Sequence, residues 1–135
     1  MRALIVIMSF FSLVFAQGWF NTPEQGLKVA KERGLPVMFY FYSDYCPYCK
    51  QMEDFVFGDE KVSRIMDRFV VISLDFLSEE GRYWARRFKI YGVPHFVFYD
   101  AKNDRVLDIV FGSRTRQDFA EILSKMCQKT GLKRC

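Results

Sequence analysis

Two cysteines at the end of an apolar run have the spacing needed for thiol chemistry. They belong to the segment Cys46-Pro47-Tyr48-Cys49. If Pro47 opens a helix, Cys46 lies at its N-cap, where unpaired N–H groups and the helix dipole favour an anion. A thiolate at Cys46 would then be the nucleophile, because a lowered thiol pKa raises the reactive fraction at neutral pH. Cys49 would lie one turn further on, more shielded, and would react second.

This cysteine pair predicts thiol–disulfide exchange. Cys46 would attack a substrate disulfide, and Cys49 would then attack the mixed disulfide and release the reduced product. The same steps in reverse would oxidise a substrate dithiol, and neither direction needs a cofactor beyond the cysteine pair. Two other interpretations stay open. A plain stabilising disulfide is disfavoured because so short a loop removes little entropy from the unfolded chain. A copper or zinc site would need a third ligand, for which His95 is the candidate.

The elements around this pair alternate between strand and helix patterns. They are a helix over Pro23–Arg33, a strand over Pro36–Tyr42, helices from Pro47 and from Asp59, a strand over Phe69–Asp75, a helix from Ser78, a strand over His95–Tyr99, a turn, a strand over Arg105–Phe111 and a helix over Thr115–Gln128. We expect Trp84, Phe88 and Tyr91 to share the inward face of the helix that begins at Ser78. The alternation indicates an α/β fold with parallel strand pairs, and the closing hairpin adds antiparallel strands.

Length and composition allow one domain with a substantial core. The chain has 135 residues, of which 50% are hydrophobic and 18% aromatic, and this argues against disorder. The net charge of +4 comes from 20 basic and 16 acidic residues. The longest basic runs, Arg86-Arg87 and Lys133-Arg134, are too short for a nucleic-acid footprint, so no nucleic-acid partner is expected.

The N-terminal segment has the three-part pattern of a secretory signal. Met1-Arg2 is a short positive start, and Ala3–Phe15 is an apolar run broken only by two serines. Val14-Phe15-Ala16 then presents the residue types that a signal peptidase reads. We expect residues 1–16 to be removed and residues 17–135 to form the domain in the periplasm or outside the cell. An uncleaved membrane anchor is the alternative, although the run is short for a transmembrane helix.

A second pair of cysteines lies near the C-terminus. Cys127 falls near the end of the last predicted helix and Cys135 is the final residue, with Gly131 available to turn the chain back. An exported protein meets an oxidising compartment, so a structural disulfide between them is expected. Such a ring would stabilise the fold by ~2–3 kcal/mol. An intermolecular bridge or a free thiol at Cys135 are the alternatives.

Two motifs together resemble the thioredoxin superfamily over residues 22–128. The first is Phe39-Tyr40-Phe41 leading into Cys46-Pro47-Tyr48-Cys49-Lys50, and the second is Gly92-Val93-Pro94 followed by an aromatic strand. The chain is most similar to exported thioredoxin-like proteins with a Cys-Pro-Tyr-Cys site, such as the periplasmic thioredoxins of sulfur-oxidation systems. The resemblance implies a three-layer fold in which a mixed central sheet carries helices on both faces.

The resemblance also assigns roles around the cysteine pair. It implies that the Val93–Pro94 bond is cis and faces Cys46, and that the backbone of Val93 pairs with the substrate chain. An ordinary trans turn is the alternative. Pro47 and Tyr48 would shape the site. We hypothesise that an imidazolium at His95 stabilises the Cys46 thiolate, the alternative being a strand histidine with no catalytic part.

Two positions depart from the thioredoxin pattern. Tyr40 stands where thioredoxins carry a buried aspartate, and Ser73 stands where they carry a lysine. The group that takes the proton from Cys49 is therefore left open among water, Tyr40 and a more distant group.

The sequence as a whole predicts an exported thiol–disulfide oxidoreductase. The family likeness favours a disulfide reductase of exported proteins, recharged by a membrane-embedded electron donor. A disulfide oxidase or isomerase with the same site, a metal carrier and a non-catalytic binding module are the alternatives.

Overall fold

A five-stranded sheet forms the centre of the protein in a computed structural model, which describes residues 18–132 and residue 135. The elements are β1 (Trp19–Phe20), α1 (Pro23–Arg33), β2 (Val37–Tyr42), α2 (Pro47–Phe55), α3 (Glu60–Met66), β3 (Val70–Asp75), α4 (Glu79–Phe88), β4 (His95–Asp100), β5 (Arg105–Phe111) and α5 (Arg116–Lys129). The export signal predicted over residues 1–16 lies outside the described residues.

The sheet is mixed, with the strand order β1-β3-β2-β4-β5. Strands β1 and β2 both run parallel to β3, whereas β4 pairs antiparallel with β2 and with β5. The predicted α/β fold with a mixed sheet is therefore confirmed. Strand β1 was not predicted, because two residues are too few to show the alternation that marks a strand.

Two apolar layers, one on each face of the sheet, bury β2 from both sides. Met38 and Tyr40 face a core built with α2, α3 and α5, whereas Val37 and Phe39 face a core built with α1 and α4. A fully buried phenylalanine of this kind contributes about 1.5–3 kcal/mol relative to an exposed one. The helices therefore lie on both faces, as the three-layer prediction requires. None of the helices in the described part of the chain is long and apolar enough to cross a bilayer.

Local capping signals set most of the helix ends. Pro23 begins α1, and Gly34 ends it in the left-handed conformation, at a φ of 64° that glycine adopts without strain. The Asp59 side chain accepts a hydrogen bond from the Val62 N–H at the start of α3. Ser78 caps α4 in the same way.

The inward face predicted for α4 is wrong at one residue. Phe88 is buried as expected, but the helix ends there and Tyr91 is 84% exposed. Lys89 takes the left-handed conformation, with a φ of 57°, so the helical register is lost after it. Ile90 takes the buried position instead.

Candidate functional site

The candidate site begins where β2 ends and α2 starts. Cys46 is the N-cap of α2, and its extended backbone lets its Sγ accept a hydrogen bond from the Cys49 N–H at 3.1 Å. Pro47 takes the first helical position, where its missing N–H costs nothing. The sulfur therefore lies where the free N–H groups and the dipole of the helix stabilise a thiolate.

The two cysteines are joined as a disulfide and differ sharply in exposure. Their Cα atoms are 5.2 Å apart. Cys49 is 1% exposed and belongs to the core beneath α2, whereas Cys46 is partly exposed at the edge of that core. An incoming thiol or disulfide can therefore reach Cys46 but not Cys49. This asymmetry is what a nucleophile followed by a resolving thiol requires.

Exposed tyrosines flank the cysteine pair. Tyr45 precedes Cys46 and is 87% exposed, and Tyr48, between the two cysteines, is 63% exposed. Aromatic side chains of this kind offer apolar surface with a polar end, which suits contact with a polypeptide.

The loop before β4 packs against the same core as Cys46. The Val93–Pro94 peptide bond is cis. Val93 and Cys46 are both partly buried against the core that contains Cys49. Phe41, near the end of β2, pairs with His95 at the start of the antiparallel strand β4, so the fold brings the two predicted motifs to one end of the sheet. Pro94 is buried, and its carbonyl oxygen accepts a hydrogen bond from the Gly112 N–H at 2.9 Å.

His95 makes its described contacts away from the cysteines. Its Nδ1 lies 2.6 Å from the Gly92 carbonyl oxygen, and its ring centroid lies 4.5 Å from that of Phe111. Successive strand residues point to opposite faces, and the next residue, Phe96, belongs to the core that contains Cys49. His95 is therefore on the other face of the sheet, and its imidazolium role stays a prediction.

In the part of the chain that the structure describes, no third ligand lies with the two cysteines to complete a metal site. Residues 18–132 and 135 contain no group of three His, Cys, Asp or Glu side chains placed to hold one ion. Cys46 and Cys49 alone do not complete the coordination that copper(I) or zinc takes in proteins. No observation on these residues favours the metal-carrier alternative.

The two positions that depart from the thioredoxin pattern face each other in the sheet. Tyr40 and Ser73 are register partners on β2 and β3. The Tyr40 hydroxyl donates a hydrogen bond to Glu53 Oε1 at 3.1 Å and lies 3.5 Å from the Cys49 carbonyl oxygen. Burial raises the pKa of Tyr40 strongly and the Glu53 carboxylate raises it further, so the hydroxyl stays protonated. The carboxylate that contacts Tyr40 therefore lies on α2 rather than on β2.

Glu53, the hydrogen-bond partner of Tyr40, was not identified from the sequence. It lies four residues after Cys49 on a helix that was predicted to begin at Pro47. Residues at this spacing share one side of a helix, so the position could have been found from the sequence.

The second cysteine pair also forms a disulfide, at the far end of α5. Cys127 is fully buried, Cys135 is partly buried, and their Cα atoms are 5.8 Å apart. The bridge is intramolecular, and it holds Leu132 and Cys135 against the core that contains Cys49.

A reachable thiol at a helix N-terminus, with a sealed partner one turn below, defines the site of a thiol–disulfide oxidoreductase. Comparisons with known proteins agree. The family model described as a thioredoxin-like domain matches residues 23–126. A thioredoxin from Thermus thermophilus, solved in solution, is 42% identical and has a TM-score of 0.76, with 84% of this chain and 89% of that chain covered. The chain therefore belongs to the thioredoxin-like family.

Curated relatives carry a similar domain inside much longer proteins. The thiol:disulfide interchange protein DsbD of Ralstonia nicotianae is 29% identical over 104 residues, which are 76% of this chain but 17% of that protein. The oxidised C-terminal domain of Neisseria meningitidis DsbD has a TM-score of 0.66 at 20% identity, with 76% and 90% of the two chains covered. At this low identity, the similarity to the Neisseria meningitidis domain shows a shared fold and nothing more.

Proposed function

We propose that this chain is an exported disulfide reductase that acts through Cys46 and Cys49. The observation that carries the proposal is the unequal exposure of the two sulfurs at the start of α2. Similarity to proteins named for thiol:disulfide interchange supports exchange with protein substrates. The N-terminal pattern over residues 1–16 supports export.

The proposed reaction needs two exchange steps. The Cys46 thiolate attacks a substrate disulfide, forms a mixed disulfide and displaces the first substrate thiolate. Cys49 then loses its proton and attacks Cys46 Sγ, which releases the second substrate thiolate. The protein passes from dithiol to disulfide, the substrate passes from disulfide to dithiol, and two electrons are transferred. Pro47 and Tyr48 shape the approach to Cys46, and the backbone of Val93 pairs with the extended substrate chain.

A reductase outside the cytoplasm must be recharged after each turnover. The oxidised state of Cys46–Cys49 has to receive two electrons from a dithiol donor. We propose a membrane-embedded donor, because the electrons have to be delivered across the bilayer. The relatives named above support this proposal only by their similarity to the present chain.

The direction of the reaction is tested by the equilibrium of the Cys46–Cys49 couple with glutathione, together with the reduction of insulin. We expect a potential toward the reducing end of the range of about −270 to −120 mV that this fold covers, and insulin reduction that the Cys46→Ser variant loses. A potential near the upper end of that range, with oxidation of reduced substrates, would instead establish the oxidase alternative.

Export and the donor can be tested with the full chain in a bacterial host. We expect the product in the periplasmic fraction, beginning at residue 17. In the Cys49→Ser variant, the mixed disulfide at Cys46 cannot be resolved, so a membrane protein should be trapped there. Retention of residues 1–16 on a cytoplasmic product would contradict export.

A further inference from the structure

A cleft lies between α2 and the start of α5, on the side of the sheet that carries the cysteine pair. Its volume is about 670 Å³, within the range of ~300–1,000 Å³ that ligand clefts occupy. Gln51 and Phe55 of α2 line one wall of the cleft. Arg114, Arg116 and Asp118 line the other. The cleft therefore has room for several side chains of a second molecule.

Two contacts connect this cleft to the cysteine pair. The segment that begins at Gly112 is tied to the loop before β4, because the Gly112 N–H donates to the Pro94 carbonyl oxygen at 2.9 Å. The same segment is tied to α2, because the Arg114 N–H donates to Met52 Sδ at 3.2 Å. At ~1.5 Å per helical residue, the α2 wall of the cleft runs from about 7 Å to about 14 Å beyond Cys46 along the helix axis. A polypeptide bound at the cysteine pair can therefore continue into the cleft.

The two arginines place positive charge in the cleft. Arg114 Nη1 donates to the carbonyl oxygens of Phe111 and Ser113. Arg116 Nε donates to the Phe55 carbonyl oxygen at 2.8 Å. Neither guanidinium forms an ion pair within the residues that the structure describes. These bonds use only part of the five N–H donors of each arginine, and the other donors can bind a carboxylate.

The remaining cleft residues favour a polypeptide over a small anion. Phe55 is 60% exposed, and its ring offers apolar surface that a free anion would not use. Gln51 and Gln117 supply amide groups that can donate to and accept from a peptide backbone. Asp118 carries a negative charge, but it lies in the first turn of α5, where the helix dipole offsets that charge. Two arginines and one aspartate leave the cleft with a net positive charge.

We propose that this cleft binds an acidic segment of the polypeptide substrate, close in sequence to the reactive cysteine of that substrate. An extended chain covers about 3.3 Å per residue, so the acidic side chains would lie about two to four residues from the cysteine. The proposal rests on the proposed reductase function and adds to it the class of substrate that the protein prefers. The arginines take no part in the exchange of sulfur bonds, and they position the substrate.

Two synthetic peptides test this preference. Each contains one cysteine, joined as a disulfide to thionitrobenzoate, and has either glutamate or glutamine at the third and fourth positions on both sides of the cysteine. In the reduced protein, the Cys46 thiolate attacks the peptide sulfur and displaces thionitrobenzoate, whose absorbance gives the rate. Cys49 then attacks Cys46 and releases the peptide thiol, which leaves the protein as the disulfide. The quantity compared is the ratio of the second-order rate constants for the two peptides.

Three variants separate the charge of the cleft from the charge of the whole protein. Arg116→Gln removes the charge but keeps a side-chain N–H for the Phe55 carbonyl oxygen, and Arg116→Lys keeps the charge. Arg82→Gln is the matched control, because it removes the same charge from an exposed position on α4. Helix α4 packs on the opposite face of the sheet from α2 and α5. The control therefore reports the general attraction of a basic protein for an acidic peptide.

For the wild type, we expect the glutamate peptide to react about threefold to tenfold faster than the glutamine peptide at low salt. Arg116→Gln should reduce this ratio to about half or less, whereas Arg116→Lys and Arg82→Gln should retain most of it. About 0.5 M salt should bring the wild-type ratio toward one, because ions screen an exposed charge pair.

A wild-type ratio near one, or a ratio that falls equally in Arg116→Gln and Arg82→Gln, would overturn the proposal. So would an equal loss of both rates in Arg116→Gln, which is the result expected if this arginine only ties α5 to the last turn of α2. These outcomes are distinguishable from failure of the reductase function, because thionitrobenzoate release reports only the first exchange step. Release without insulin reduction would refute the reductase function alone, and release no faster than in Cys46→Ser would refute both.

Discussion

Opening the second disulfide tests how much of the stability of this domain depends on its C-terminal residues. In the Cys135→Ser variant, the bond to Cys127 is lost while the substituted side chain stays only partly buried. Cys127 remains in place as a fully buried residue, so no cavity is created in α5. The change therefore isolates the ring closure from core packing.

The expected loss follows from the size of the ring. The two cysteines are separated by eight positions. In the chain-entropy model, a ring of this size reduces the conformational freedom of the unfolded chain by about 2.5 kcal/mol. Leu132 is also held against the core by this closure, and part of its burial would be lost with it. We expect the free energy of unfolding to fall by about 2–3 kcal/mol.

Urea unfolding under non-reducing conditions measures this loss. The Ser124→Ala variant is the matched control. The Ser124 hydroxyl donates a hydrogen bond to the Cys135 carbonyl oxygen at 3.3 Å, so this substitution removes a contact with the same C-terminal residue but leaves the disulfide intact. We expect the control to lose less than about 1 kcal/mol and the rate of insulin reduction to stay unchanged in both variants. A Cys135→Ser protein as stable as the control would refute the assignment of a structural role to this bridge.

Three further predictions concern the site and the fold. Cys46→Ser should lose insulin reduction, whereas Cys49→Ser should accumulate mixed disulfides, which are visible on non-reducing gels. Activity retained in Cys46→Ser would contradict the assignment of Cys46 as the nucleophile. Gly81→Ala should lower the free energy of unfolding in urea by about 1–3 kcal/mol, because a Cβ would overlap the Asp75 carbonyl oxygen. An unchanged urea concentration at the midpoint of unfolding would contradict this prediction. The hydrogen bond from the Asn103 side chain lowers the pKa of Asp100 in the folded protein. The ionised Asp100 therefore stabilises the fold at pH values above its pKa in the unfolded chain, and this contribution is lost as the pH falls through its pKa in the folded protein. The free energy of unfolding of Asp100→Asn should therefore fall less steeply than that of the wild type below about pH 4. The same pH dependence in both proteins would contradict this prediction.

Features that depend on neighbouring residues in the chain were predictable. Pro23 and Gly34 bound α1 as expected, and Cys46 is the N-cap of α2, because caps and turns act over a few residues. The apolar run before Cys46 correctly predicted a strand buried on both faces. The mixed sheet followed from the order of these local elements.

Features that depend on distant partners were not predictable in the same way. Strand β1 exists because Trp19 and Phe20 pair with β3, and two residues carry no pattern of their own. The prediction that Tyr91 faces the core was wrong because the backbone at Lys89 leaves the helical conformation. His95 could be assigned to a strand, but the face it occupies depends on the register of the whole sheet.

The sequence by itself determined the chemistry: two cysteines with one proline between strand and helix specify where a thiolate can form. Only the tertiary structure decided which distant residues surround that segment. Folding brings the Tyr40 hydroxyl of β2 within hydrogen-bond distance of Glu53 on α2, and the antiparallel pairing of β2 with β4 brings the segment after Tyr42 and the segment before His95 to the same edge of the sheet. The physical reason is that capping acts within one helical turn, whereas electrostatic and packing effects depend on which distant segments the core brings within a few ångströms.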